Sequence, residues 1–263
     1  MKYEVLGPLR ITAGSTVLTV NAPKMATLLV ALVVRANTVV SKEALITEIW
    51  EGTPPRRAAA ALHVYVSQLR KLLAMGAPDA SPIVTERPGY MLVAGPEDTD
   101  WGRLEQLTRQ ARAARDRGDL EDSAHAFAQA VGLWRGPLPC PRQNGPLIGD
   151  FAAWVKTHRL HCLEDYVEVS LELGRHRSLI GLLSTLVSEH PFHEVFYGQL
   201  MRALDASERR AEALRVYEQA ATTLSRELGL GPGRQLRQVH RAILSGGSAP
   251  APRLHDVAAP GRA

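Results

Sequence analysis

The chain has 263 residues, 45% apolar and 22% charged, a globular composition with length enough for two domains. No run of about eighteen or more apolar residues offers a membrane span, and the start MKYEVLGPLRI lacks the apolar core of an export signal, so a cytoplasmic protein is expected. Two cysteines, Cys140 and Cys162, exclude a disulfide framework and a four-cysteine zinc site.

The net charge of +4 is small, but it is unevenly placed. Through residue 97, ten basic residues face seven acids, whereas from 98 onward 21 face 20. Between Gly52 and Pro78 stand Arg56, Arg57, Arg70 and Lys71 with no acid at all, the kind of block that attracts phosphate.

Residues 3–20, rich in Val, Leu, Ile and Thr and broken by Gly7-Pro8 and Ala13-Gly14-Ser15, predict three short strands in a meander. From Pro23 the period changes, and PKMATLLVALVVRA is apolar around most of a helix that ends near Asn37. After the β-branched Thr38-Val39-Val40, Ser41 is placed to cap a second helix running to about Trp50, which Gly52-Thr53-Pro54-Pro55 stops. A third helix is expected from about Arg56 to Leu73. Ile83-Val84-Thr85 and Tyr90-Met91-Leu92-Val93 then flank Glu86-Arg87-Pro88-Gly89, a hairpin signal. Strands, three helices and a hairpin make an α+β winged helix-turn-helix, assigned to residues 1–97.

From Asp98 the strand signals vanish, and helices are expected near 99–117, 119–134, 150–174, 176–189, 193–206, 209–228 and 232–245. The spacings Ala124-Phe127-Ala130 and Ala213 (or Leu214)-Tyr217-Ala220 suggest helix pairs of roughly 34 residues like tetratricopeptide repeats, in which small residues allow close approach and aromatics fill the gap. The chain is therefore mainly α, with an all-α tetratricopeptide-like domain over 98–246 and a Gly/Ala/Pro-rich tail over 247–263 expected to be mobile.

Little in the sequence points to catalysis. No phosphate-binding Gly-x-x-x-x-Gly-Lys-Ser/Thr loop is present, and Gly229-x-Gly231-x-Gly233 follows a helix rather than a strand, which fails the dinucleotide fingerprint. His158, His161 and Cys162 share one region of a helix, but no fourth ligand is spaced to close a metal site. His190-Pro191-Phe192-His193 reads as a helix-to-helix turn. The expectation is a non-enzyme with no cofactor and no metal.

The third helix carries the functional signal. At 100° per residue, Val66, Leu69 and Leu73 fall within about 40° of Leu62 and form with it a core stripe. On the opposite arc lie Arg57, Ala60, Val64, Ser67 and Lys71, with Gln68 beside them and Arg56, His63, Tyr65 and Arg70 on the flanks. A helix fits the DNA major groove, where Gln68 and Ser67 suit base edges and Val64 a thymine methyl, while Arg56, Arg57, Arg70 and Lys71 suit phosphates and the flanking His63 joins the DNA-binding set. Ala60 permits close approach, and Arg87 at the hairpin tip suits a minor groove. The alternative is a merely solvated face, against which the absence of acid weighs.

These residues resemble a known family. PKMATLLVALVVRANTVVSKEALITEIWEGTPPRRAAAALHVYVSQLRKLL, with the later PGYMLV, is similar to the winged-helix half of the Streptomyces antibiotic regulatory protein family, itself similar to response-regulator effector domains. LWRG at 133–136, LVSEHPFHEVFYGQLMRAL at 186–204 and AEALRVYEQAATTLSRELGLGPGRQLRQVHRAIL at 211–244 resemble the bacterial transcriptional activation domain that follows it there. The resemblance implies a cytoplasmic activator of a biosynthetic cluster that binds direct repeats in double-stranded DNA as two protomers side by side. It also implies recruitment of RNA polymerase holoenzyme through its sigma factor. Two other readings stay open: a tetratricopeptide-like protein-interaction scaffold, and a regulator whose helical half senses a small molecule.

Overall fold

The computed structural model describes residues 1–76, 81–139 and 145–246; Cys140 and the tail 247–263 lie outside the described residues. Two compact units are formed, and neither is one continuous stretch. Among the described residues the first comprises Met1–Arg109 and Gln129–Arg159, and the second Gln110–Ala128 and residues 160–246.

The first unit opens on an antiparallel meander of β1 (Lys2–Glu4), β2 (Arg10–Ala13) and β3 (Thr16–Leu18). The register sets Tyr3 opposite Ile11 and Ile11 opposite Leu18, so these three line one buried face, as strand alternation requires. Helix α1 (Pro23–Val34) starts on proline and buries every residue from Leu28 to Val34, the outcome its nearly unbroken apolar run predicts. Asn37 then turns the chain in a left-handed conformation, and its amide both donates to the Ala94 carbonyl (2.7 Å) and accepts from the Ala94 N–H (3.1 Å).

Strand β4 (Val40–Ser41) leads into α2 (Lys42–Trp50), whose N-terminus is capped by the Ser41 hydroxyl accepting from Ala44 N–H at 3.1 Å. Next come α3 (Ala58–Ala74) and the hairpin of β5 (Ile83–Glu86) and β6 (Gly89–Leu92), with strand order β4-β6-β5. A side chain at Gly89 would put its Cβ 1.8 Å from the Val40 carbonyl oxygen, so β6 approaches β4 that closely only with glycine there.

Helices α4 (Asp100–Asp116), α5 (Leu120–Gly132) and α6 (Pro146–Glu172) each contribute to both units. In the first unit, residues beyond 97 satisfy groups of the winged helix. One Asp100 carboxylate oxygen accepts the buried N–H groups of Val5 and Leu6, each at 2.7 Å. Burial pushes the Asp100 carboxyl above its ordinary range, and these N–H groups and the nearby Arg135 offset part of that. Arg135 donates its backbone N–H to Leu6 (2.8 Å) and its guanidinium to the Pro8 carbonyl (3.1 Å). The Trp101 indole N–H reaches the Val33 carbonyl at 3.2 Å.

Glu48 of α2, only 1% exposed, caps the start of α6 by accepting from Leu147 N–H (2.9 Å) and Ile148 N–H (3.1 Å) with separate oxygens. Helix α6 therefore begins at Pro146, ahead of the expected 150, because proline suits the first helical position and Glu48 takes the N–H groups that follow. Glu48→Gln sets an amide NH2 against one of those donors, and we expect a loss of about 1–3 kcal/mol of stability. Urea unfolding reads it, and an unchanged midpoint would sink the assignment.

The second unit continues through α7 (His176–Glu189), α8 (Glu194–Asp205), α9 (Arg210–Leu228) and α10 (Arg234–Ser245), with α7 and α9 packed on α8. Ala124 and Phe127 are buried with Ala111 and Val169. Ala213 and Ala220 bury the inner face of α9, while Tyr217 stacks on His240 of α10 at 3.8 Å. The small-aromatic-small spacing thus faces inward, as helix pairs of this kind require. Buried charges are matched: Arg112 meets Asp165 at 3.2 Å, His193 Nε2 lies 2.6 Å from Glu164, and Arg202 donates to both oxygens of Glu168 at 2.8 and 2.9 Å. His193 sits in the turn between α7 and α8, and His158 stacks on Trp154 at 4.8 Å within the first unit. Among the described residues no helix is long and apolar enough to cross a membrane.

Candidate nucleic-acid interface

The spacing of α3 divides it cleanly. Ala58, Leu62, Val66, Leu69 and Leu73 are buried, and the opposite face carries Ala60, Val64, Ser67, Gln68 and Lys71, all exposed. His63 is exposed on the edge nearest the hairpin. Arg56 and Arg57 are also exposed, but they stand just before the helix rather than in its first turn, with Arg57 at the N-cap position. Val64 is 52% exposed amid polar neighbours, an apolar side chain with no core to fill. No acid lies on α3, so the positive charges of Arg56, Arg57 and Lys71 are not offset along it.

The hairpin forms a wing beside this face. Its strands pair Thr85 with Tyr90 and Glu86 with Gly89, which puts Arg87 and Pro88 at the exposed turn. Arg70 is half-buried: its Nε donates to the Ile83 carbonyl at 2.9 Å, one Nη donates to Thr85 Oγ1 at 2.8 Å, and the guanidinium lies 5.9 Å over the Tyr90 ring. The structure thus occupies this cation as a strap from α3 to β5. Tyr65, placed on a flank by the helical wheel, turns the other way and stacks on Trp50 of α2 at 6.0 Å, with Lys24 Nζ 5.0 Å over the Trp50 ring. These ring contacts tie α1, α2 and α3 together and hold the exposed face in place.

Sequence reasoning assigned no role to Tyr90, whose hydroxyl is 2.6 Å from His63 Nδ1, nor to Glu48 and Asp100. The aromatic inside PGYML was the one signal for Tyr90. For the two acids there was none, since their partners are backbone N–H groups about a hundred residues away.

Comparison with known proteins agrees with this architecture. Residues 19–92 match the model of the C-terminal domain of transcriptional regulatory proteins, and residues 99–244 match that of the bacterial transcriptional activator domain. The regulatory protein DnrI of Streptomyces peucetius is 36% identical over 250 residues, covering 93% of this chain and 92% of DnrI. The transcriptional regulatory protein EmbR of Mycobacterium tuberculosis is 32% identical over 245 residues, but the chain spans only 63% of it. A solved structure of EmbR in complex with a low-affinity phosphopeptide superposes with a TM-score of 0.90 at 31% identity, covering 95% of this chain and 66% of that one.

A winged helix followed by paired helices, matched by proteins named as regulators, defines the class: a DNA-binding transcriptional regulator. The regulatory protein AfsR of Streptomyces griseus, 31% identical over 93% of this chain, is a relative of which the chain spans only 24%. The chain belongs to the Streptomyces antibiotic regulatory protein family.

Proposed function

We infer that the protein is a sequence-specific transcriptional activator of an antibiotic or other secondary-metabolite cluster, acting in the cytoplasm. In this reading it binds direct repeats near the promoter −35 region as two protomers side by side and recruits RNA polymerase through the sigma factor. The observation that carries the DNA-binding part is the exposed, acid-free face of α3 beside the wing, with Val64 laid bare at its centre. Family membership supports the remainder.

Each side chain takes a role from its chemistry. Gln68 and Ser67 read base edges, Val64 meets a thymine methyl, and Ala60 lets the helix approach. Arg56, Arg57 and Lys71 hold phosphates, Arg87 enters the minor groove, and Arg70 keeps the wing against the helix. DNA contacts belong to residues 1–97 and polymerase contacts to 98–246. A fragment built to test this division must run past Ile148 to keep the caps that Asp100, Arg135 and α6 supply or receive.

Lys71→Ala is expected to weaken binding to cognate and random duplexes alike and to lower the salt slope by about one, since it removes a phosphate contact. Gln68→Ala should cost about 1–3 kcal/mol on the cognate site alone. Equal loss on random DNA would show that Gln68 does not read bases.

Two protomers on a direct repeat meet head to tail through a heterologous contact. Repeat centres about 10 to 11 bp apart keep both copies on one face of the duplex, and inserting about 5 bp between them turns one copy to the far side. Footprinting should then show cooperative binding lost. Undiminished cooperativity on that insertion would exclude the side-by-side arrangement.

A further inference from the structure

The wing and the recognition helix meet at one hydrogen bond between side chains with titratable protons. Tyr90 of β6 is 2% exposed, and its hydroxyl lies 2.6 Å from Nδ1 of the exposed His63 on α3, the two rings edge-on at 79°. Only one arrangement of protons uses both groups fully. A phenol carries a single proton at neutral pH, and burial pushes the Tyr90 hydroxyl above its ordinary range while Arg70 pulls it partly back, so the proton stays on oxygen. If Nδ1 carried the hydrogen, the Tyr90 O–H would have no acceptor in a largely buried place, which costs about 1–3 kcal/mol. With the hydroxyl donating to Nδ1, the imidazole is neutral and its hydrogen sits on Nε2.

Tyr90 holds the His63 ring through that hydrogen bond and the edge-on contact. Tyr90 itself is pinned, since Arg70 lies over its ring and is bonded to Ile83 and Thr85. Nδ1 faces the wing, so Nε2, across the ring, faces away from it. Among the described residues Nε2 makes no hydrogen bond. His63 stands on the flank of α3 rather than at its centre, and the flanks of a helix lying in the major groove face the sugar-phosphate walls.

We propose that Tyr90 is a positioning residue that fixes His63 as the Nε2–H tautomer and turns that N–H outward as a neutral, pre-set donor to a DNA phosphate where helix and wing meet. The inference rests on the reading of α3 as the DNA-contacting helix. It assigns to the wing a duty beyond its own tip: orienting a side chain of the recognition helix. A neutral donor holds a phosphate oxygen without displacing a counterion, so its signature differs from that of Lys71.

The test uses the full chain at a single pH throughout. The probes are a duplex enriched by the protein from a randomised pool and a scrambled duplex of the same composition. His63→Ala is expected to lose roughly tenfold in affinity on both duplexes, the worth of a hydrogen bond to a charged group, with the salt slope unchanged. Tyr90→Phe keeps the ring beneath Arg70 and should lose about threefold on both, and nothing further when added to His63→Ala. Circular dichroism melting checks that each variant folds as the parent does.

Three results would overturn the proposal. A salt slope lowered as by Lys71→Ala means a charged ring, a loss confined to the enriched duplex means a base contact, and an undiminished Tyr90→Phe effect in the His63→Ala background means the hydroxyl acts elsewhere. Should Lys71→Ala and Gln68→Ala also leave binding intact, the reading of α3 itself fails. Should they weaken it while His63→Ala does not, only the present inference fails.

Discussion

Gly89→Ala is expected to unseat the wing and cost on the order of 3 kcal/mol or more, a magnitude reached only by a few mechanisms such as forced steric overlap. The added Cβ would stand 1.8 Å from the Val40 carbonyl oxygen and 2.7 Å from its carbon, both backbone atoms that cannot rotate away. Strand β6 must separate from β4, carrying with it Tyr90 and, through β5, the Arg70 strap. Urea unfolding should show the loss in stability, and DNA affinity should fall beyond it. Gly181→Ala is the contrasting change: that glycine lies inside α7 with nothing within 4 Å of an added Cβ, so roughly 0.5–1 kcal/mol should be gained. A Gly89→Ala protein as stable as the parent would mean that the sheet accommodates a side chain there.

Arg202→Ala should cost about 3–5 kcal/mol, because it strands a buried carboxylate. Glu168 is 1% exposed and takes two hydrogen bonds from Arg202; Gln199, at 3.4 Å, is a weak substitute. Removing both charges with Glu168→Met and Arg202→Leu should restore most of the loss, since an apolar pair of similar volume needs no desolvation. The exposed Arg226–Glu227 pair sets the opposite limit, and breaking it should change stability by less than about 1 kcal/mol. If Arg202→Ala falls in that small range, water reaches Glu168 and the pair is not closed off.

What could be read in advance divides along physical lines. The apolar run of α1, the Ser41 cap and the stripe Leu62-Val66-Leu69-Leu73 all depend on neighbours within a few residues, so their pattern is written in the local sequence. The exposed face of α3 follows from the same periodicity, which is why Ala60, Val64, Ser67, Gln68 and Lys71 emerge together. Arg70 shows the limit. Its charge and wheel position were visible, but its engagement with Ile83 and Thr85 depends on where the hairpin docks, which no spacing encodes. Glu48 and Asp100 lie further beyond reach: an acid near a helix end is ordinarily a solvated charge, and only the fold reveals the backbone donors that each one meets.

The Glu48 cap also bears on how the protein is made. Its partners, Leu147 and Ile148, follow it by 99 and 100 residues. At a synthesis rate of about 5–20 residues per second, roughly 5 to 20 seconds separate the appearance of the acid from that of the amides it binds. Helices α1 to α3 have time to form and pack in that interval, long before α6 exists. The N-terminal unit therefore leaves the ribosome first and is completed late, its final hydrogen bonds contributed by chain that follows most of it into solution.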